Sequence, residues 1–164
     1  MKAWLGLGSN LQHPVAQLRR VLKRLSETKG ITVKKVSSFY CTPPWVDEEQ
    51  DDFVNAVAQI ETDLEPVPLL QVLQSIEDVM GRERNDRRWG PRLIDIDLLL
   101  YGDRTFCSDE LELPHPRMQE RAFVLLPLSE LDKQLSIPGY GRIDTLLPGL
   151  DCGGITRLGS GYEE

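Results

Sequence analysis

An α+β fold, a mainly antiparallel sheet with helices packed on it, is predicted by three observations in the 164-residue sequence. Some short segments carry apolar residues with a period of two, and others with a period of three to four. The segments follow one another as strand, helix, strand, strand, helix, strand. No internal repeat or linker divides the chain. That order is a split β-α-β, or ferredoxin-like, sandwich with the helices expected on one face. A domain of this length buries roughly 70% of its unfolded surface, so it needs neither disulfides nor a structural metal.

Residues 3–8 read as a short buried strand. Pro14 suits a first helical turn, where its missing N–H costs nothing, and Val15, Leu18, Leu22 and Leu25 form a stripe that closes near Gly30. Ile31, Val33 and Val36 alternate up to Phe39-Tyr40, which predicts a strand, and Thr42-Pro43-Pro44 breaks it. Val54, Ala56, Ala58 and Ile60 share one face of a strand over 53–62. Pro66 opens a second helix with Leu69, Leu73, Ile76 and Met80 inward and Gly81 as its C-cap. Leu93 to Tyr101, the most apolar run, reads as a central strand. A helix over 119–131 is expected to bend or break at Pro127. Residues 1–152 form a single catalytic domain in this reading, and the Gly-rich tail 153–164 is expected to be poorly ordered.

Composition excludes several classes. A net charge of −7 argues against broad binding to nucleic acid or to an anionic membrane. No apolar run reaches about 18 residues, so no membrane span is expected. Cys41, Cys107 and Cys152 are scattered, and only His13 and His115 are present, which leaves no zinc site or disulfide framework. The N-terminus lacks the regions of a secretion signal. A cytoplasmic monomer acting on small molecules is the expectation. Five of the six residues Asp47–Asp52 are acidic, and their spacing fits a solvated loop rather than a calcium loop.

The chemistry concentrates between Arg82 and Asp97. On a strand, Asp95 and Asp97 point to one face with Cα atoms about 6.6 Å apart. Two carboxylates at that spacing can converge on one metal ion or on a pair of ions. Oxygen ligands without nearby His or Cys suit magnesium. Like charges in an apolar strand repel unless a cation compensates, although an isolated Asp-x-Asp also fits a solvent-facing edge. Upstream, Arg82, Arg84, Arg87, Arg88 and Arg92 surround Trp89-Gly90-Pro91. Guanidinium forks match phosphate oxygens. Cations for phosphate beside carboxylates for metal are what magnesium–triphosphate binding requires. His115 between Pro114 and Pro116, with Arg117 and Arg121, extends the set, and an ordinary loop before a helix is the plainer reading of that segment. Thr42-Pro43-Pro44-Trp45 offers fixed amides and an apolar wall to a flat ligand. Phe53, Asn55 and Phe123 offer ring faces and an amide, while each phenylalanine alone is better explained as core. Gly6-Leu7-Gly8 fails as a dinucleotide or Walker motif and reads as tight packing near a ligand.

Together these segments resemble one family, the hydroxymethyldihydropterin pyrophosphokinases of folate biosynthesis. The resemblance rests on Gly6-Leu7-Gly8-Ser9-Asn10-Leu11, Ser38-Phe39-Tyr40, Thr42-Pro43-Pro44, Phe53-Val54-Asn55-Ala56, Arg88-Trp89-Gly90-Pro91-Arg92, Asp95-Ile96-Asp97, Pro114-His115-Pro116-Arg117-Met118 and Arg121-Ala122-Phe123. It implies transfer of diphosphate from the co-substrate ATP to the hydroxymethyl group of 6-hydroxymethyl-7,8-dihydropterin, leaving AMP. It implies that Asp95 and Asp97 hold two magnesium ions and that Arg82 and Arg92 act on the phosphates. Gln74, Glu77, Arg84, Arg88, Trp89, Leu98, Leu111, His115 and Arg121 would bind ATP. Thr42, Pro43, Pro44, Trp45, Phe53, Asn55 and Phe123 would bind the pterin. The chain departs from the family between Trp45 and Asp52, where the usual glycine and Gln-Pro are replaced by the acidic cluster, and at Gln12-His13-Pro14. Another two-magnesium nucleotidyl or phosphoryl transferase accounts for the aspartates but not for the pterin residues. A non-catalytic ferredoxin-like module conflicts with the net charge if its ligand is RNA.

Overall fold

The computed structural model describes residues 1–9, 13–42, 53–84 and 94–159, with the backbone alone at 82–84 and 159. Its elements are β1 (Lys2–Ser9), α1 (Pro14–Ser26), β2 (Ile31–Val36), β3 (Phe39–Thr42), β4 (Phe53–Thr62), α2 (Pro66–Arg84), β5 (Asp95–Tyr101), β6 (Phe106–Cys107), β7 (Glu112–Leu113), α3 (Ala122–Asp132), β8 (Ser136–Ile137), β9 (Gly141–Arg142), α4 (Ile143–Leu146) and β10 (Thr156–Gly159). The main sheet runs β10-β3-β4-β1-β5, with β2 also pairing β4, and its ladders are antiparallel. The predicted sandwich is therefore present.

Alternation sorts the strands into two faces. Ala3, Leu5 and Leu7 of β1, Val54, Ala56, Ala58 and Ile60 of β4, and Ile96 and Leu98 of β5 face a core with Leu18, Leu22 and Leu25 of α1 and Leu69, Leu73, Ile76 and Met80 of α2. The opposite face carries Trp4, Val57 and Leu99 against Val124, Leu125 and Leu128 of α3. Helices thus cover both faces, not one. Helix α3 is apolar enough to cover the second face, with Ala122, Val124, Leu125, Pro127 and Leu128 buried.

Other departures have local causes. The predicted strand over 31–40 is two strands, interrupted at Ser37-Ser38. There the Ser37 amide donates to Val57 O at 2.9 Å, the Val57 amide donates to Ser37 Oγ at 2.9 Å, and the Ser38 amide turns to Glu130. Gly81 does not end α2, which continues to Arg84, because a helical glycine costs only about 1 kcal/mol. Pro127 lies inside an unbroken α3; it lacks one N–H donor, and helix packing offsets that loss. β5 is an edge strand rather than a central one, and its apolar run is explained by helices on both faces. Within the segment expected to be a poorly ordered tail, Thr156–Gly159 pairs with β3 and extends the sheet. Its polar, glycine-flanked sequence lacks an alternation signal because an edge strand buries little. Residues 160–164 lie outside the described part.

Candidate active site

One cleft, of about 290 Å³, opens on the α3 face. Its floor is made by strand register. Gly8 sits between Asn55 and Asp95, and Gly6 sits between Val57 and Asp97. A Cβ on Gly8 would lie 2.9 Å from Asn55 Oδ1, and one on Gly6 would touch Leu99 at 3.4 Å. The two glycines therefore keep the floor low beneath the flanking side chains. Phe53 enters from β4 and Phe123 from α3, and Thr42 and Arg121 complete the rim. Asn55 Nδ2 donates to Thr42 Oγ1 at 3.0 Å, which fixes the amide plane. The Arg121 guanidinium stands 5.9 Å from the Phe123 ring centre, within range of a cation–π attraction. Asp95 and Asp97 both line this cleft, as their common face requires.

A second cleft, of about 390 Å³, lies along the free edge of β5. Gln74 and Glu77 of α2, Leu98 of β5, Leu111 before β7, and His115 line it, and so does Asp97. Glu77 Oε2 accepts from the Ile96 amide at 2.7 Å, between the two aspartates. The His115 amide donates to Leu99 O at 2.9 Å. Both bonds occupy backbone groups that an edge strand otherwise leaves unpaired. Ser108 Oγ accepts from the Glu110 and Leu111 amides at 3.2 Å each, which shapes the loop between β6 and β7. His115 Nδ1 lies 3.1 Å from Pro116 O. A carbonyl only accepts, so Nδ1 carries the hydrogen and Nε2 faces Asp97 Oδ1 at 3.8 Å. That distance is too long for a hydrogen bond but within ion-pair range, and it places the imidazole beside the carboxylate.

The structure thus gathers the sequence-predicted residues in two groups. Thr42, Phe53, Asn55 and Phe123 share the first cleft with Asp95, Asp97 and Arg121. Gln74, Glu77, Leu98, Leu111 and His115 share the second with Asp97. Arg121, expected with the ATP set, borders the first cleft rather than the second. Arg82 and Arg84 fall in the last turn of α2, with their backbone alone described. Pro43, Pro44, Trp45, Arg88, Trp89 and Arg92 lie outside the described residues. The sequence reading took Gly6 and Gly8 as tight packing near a ligand, and the packing is found, but it did not identify their partners across the ladder. It also missed Leu99, Val57 and Val124 as cleft walls, because nothing distinguishes them from core residues. Among the described residues no group of three or more His, Cys, Asp or Glu side chains converges as a metal cage, and no helix is long and apolar enough to cross a membrane.

Residues 4–133 match the family described as 7,8-dihydro-6-hydroxymethylpterin-pyrophosphokinase, HPPK. Two similar proteins bear the name 2-amino-4-hydroxy-6-hydroxymethyldihydropteridine pyrophosphokinase. The protein from Methylorubrum extorquens is 46% identical over 157 residues, covering 96% of this chain and 98% of that one. The protein from Haemophilus influenzae is 46% identical over 145 residues, covering 88% and 90%. Among solved structures, the HPPK-DHPS of Plasmodium falciparum superposes with a TM-score of 0.70 at 18% identity, over 90% of this chain. This chain spans 43% of that longer protein, and the likeness there concerns the fold. The chain belongs to the 7,8-dihydro-6-hydroxymethylpterin-pyrophosphokinase family.

Proposed function

We infer that this chain transfers the terminal diphosphate of ATP to the hydroxymethyl oxygen of 6-hydroxymethyl-7,8-dihydropterin, releasing AMP, in folate biosynthesis. One observation carries the assignment of sites: Asp97 stands on the wall common to two clefts of different character. The first is an aromatic slot with a fixed amide, suited to a flat heterocycle. The second is an edge groove that begins where the first ends, suited to the nucleotide. A two-substrate transfer needs its reacting groups to meet at such a junction.

In the first cleft Phe53 and Phe123 hold the pterin ring. Asn55, its amide oriented by Thr42, presents Oδ1 and its second Nδ2 hydrogen to the edge of the heterocycle. Gly6 and Gly8 let the ring lie against the sheet. In the second cleft Gln74, Glu77, Leu98, Leu111 and His115 border the nucleotide, and Glu77 keeps β5 in register at Ile96. The family resemblance assigns phosphate binding to Arg82, Arg84, Arg88, Trp89, Arg92 and Arg121, and pterin binding to Pro43, Pro44 and Trp45.

The donor set fits magnesium. Two carboxylates on one strand face, with Asp97 47% exposed, leave positions for water and phosphate oxygens, as magnesium requires. Asp95 and Asp97 would hold two magnesium ions, which supply charge neutralisation at the phosphates and lower the pKa of the attacking hydroxyl. The oxygen–β-phosphorus bond forms as the bond from β-phosphorus to the oxygen of AMP breaks, and the hydroxyl proton passes to solvent water beside the half-exposed Asp97. The protein works as a monomer in the cytoplasm in this reading.

Product analysis tests the reading. AMP must form from ATP only when the pterin and magnesium are both present. Formation of ADP or of free pyrophosphate instead would overturn it.

A further inference from the structure

A cluster of polar groups lies on the α3 face outside both clefts. Glu130, on the last turns of α3, accepts from the Ser38 amide at 2.9 Å, from Ser38 Oγ at 2.8 Å and from the Tyr40 hydroxyl at 2.7 Å. Arg157 of β10 donates through Nε to Ser38 Oγ at 2.9 Å, and its NH2 lies 3.6 Å from Glu130 Oε2. The Ser38 hydroxyl thus gives its one hydrogen to the carboxylate and takes another from the guanidinium. The cluster joins three elements: β3, α3 and β10. Arg157 and β10 lie beyond residues 4–133, the part that matches the family.

The position of the cluster relates it to the slot. Glu130 follows Phe123 by seven residues on α3, two turns or about 10.5 Å along the same helix face. Tyr40 precedes Thr42 by two residues on β3, so both point to one side of the sheet. Tyr40 is also in register with Asn55. The carboxylate therefore ties the helix that carries Phe123 to the strand pair that carries Thr42, Asn55 and Phe53. A stacked ring is sensitive to the width between its walls, since a gap of about 0.5–1 Å forfeits a quarter to a half of the contact energy.

We propose that Glu130 is a positioning residue for the pterin slot, and that Arg157 on the C-terminal strand is its clamp, together setting the spacing between Phe123 and the Phe53–Asn55–Thr42 wall. The proposal rests on the pterin reading of the first cleft. It predicts that loosening the cluster selectively weakens the first cleft and spares the second, because Glu77, Leu98 and His115 are held by α2 and β5.

Calorimetric titration and steady-state kinetics on Tyr40→Phe, Glu130→Gln, Arg157→Met and Arg157→Lys, with Phe53→Ala as the control, test it. In the cluster variants the KM and Kd for the dihydropterin should rise about fivefold to tenfold, the size of one typical net hydrogen bond. The Kd for a non-hydrolysable ATP analogue with magnesium should stay within about twofold of the wild type, which also shows that each variant is folded. Arg157→Lys should regain much of what Arg157→Met loses. Pterin affinity unchanged in Tyr40→Phe, Glu130→Gln and Arg157→Met, with Phe53→Ala weakened, would overturn the positioning role. Equal losses for both substrates would overturn it too, by making the cluster a general brace. Pterin affinity unchanged in Phe53→Ala would instead overturn the reading of the slot itself.

Discussion

Two residues of the sheet floor illustrate how single positions set the chemistry. Asp97 lines both clefts, and His115 Nε2 stands 3.8 Å from its Oδ1. Asp97→Ala should lower turnover by about a thousandfold, a loss typical of removing a group that meets charge in the transition state. A discontinuous assay for AMP checks this, and substantial activity in magnesium would refute the role. Gly8 acts by what it lacks. The Cβ of Gly8→Ala would lie 2.9 Å from Asn55 Oδ1, so the amide must turn and its bond to Thr42 weakens. Dihydropterin affinity should fall about tenfold, the size of one hydrogen bond to a well-placed partner, while nucleotide affinity holds. Calorimetric titration of each ligand distinguishes that result from a general loss of fold. The common face of Asp95 and Asp97 was legible in the sequence, because strand alternation makes it unavoidable. The role of Gly8 was not, because which residue lies across the ladder depends on register, a long-range property.

At the scale of elements, β5 carries Asp95 and Asp97 on an edge of the sheet, and its neighbours compensate for that exposure. Glu77 on α2 accepts from the Ile96 amide between the two aspartates. Removing the carboxylate in Glu77→Ala leaves a partly buried donor unpaired, at a cost of about 1.5–3 kcal/mol. For a domain of this size that lowers Tm by about 4–8 °C. Turnover should fall as well, because the segment between Asp95 and Asp97 loses its anchor, and Glu77→Gln should retain part of both. Thermal unfolding and the AMP assay together check this, and an unchanged Tm would show that the bond contributes nothing. The elements themselves were largely readable. The stripes of α1 and α2 and the alternation of β4 appear where the apolar periods place them, because each buries one continuous face. The break at Ser37-Ser38 was not readable, since it depends on Val57 and Glu130, far along the chain. The second helical face was missed because the element order of a split β-α-β accounts for α1 and α2 and says nothing of where α3 goes. β10 was missed because it pairs with β3, distant in sequence, and its own sequence has no period.

At the scale of the whole molecule, the Tyr40–Glu130 cluster makes stability depend on pH at both ends of the range. Burial first, and then the hydrogen bond and charge of Glu130, push the Tyr40 phenol up to about 12 from its ordinary value of 10.0. In the unfolded chain that phenol ionises near 10, so the folded state keeps its full advantage below pH 10 and loses it as pH rises toward about 12. Burial also pushes the Glu130 carboxyl up, but bonds from Tyr40 and Ser38 and the charge of Arg157 outweigh it and hold the group below its ordinary 4.5. A depressed carboxyl stabilises the fold above its unfolded pKa, and that contribution disappears as pH falls through the lower folded value. The Tyr101 phenol is pushed up too, by burial and then by Glu65, and its hydroxyl donates to Leu64 O at 2.6 Å, away from the Tyr40 cluster. The two tyrosines therefore make different predictions. Tyr101→Phe should flatten the stability profile only on the alkaline side. Tyr40→Phe should flatten the alkaline side and also shrink the acid-side slope, because Glu130 loses a donor that favours its ionised form. Denaturant unfolding at intervals from pH 3 to 11 measures both slopes. An acid limb unchanged by Tyr40→Phe would mean that Ser38 and Arg157 alone hold the carboxylate and that the phenol is a passenger in the network.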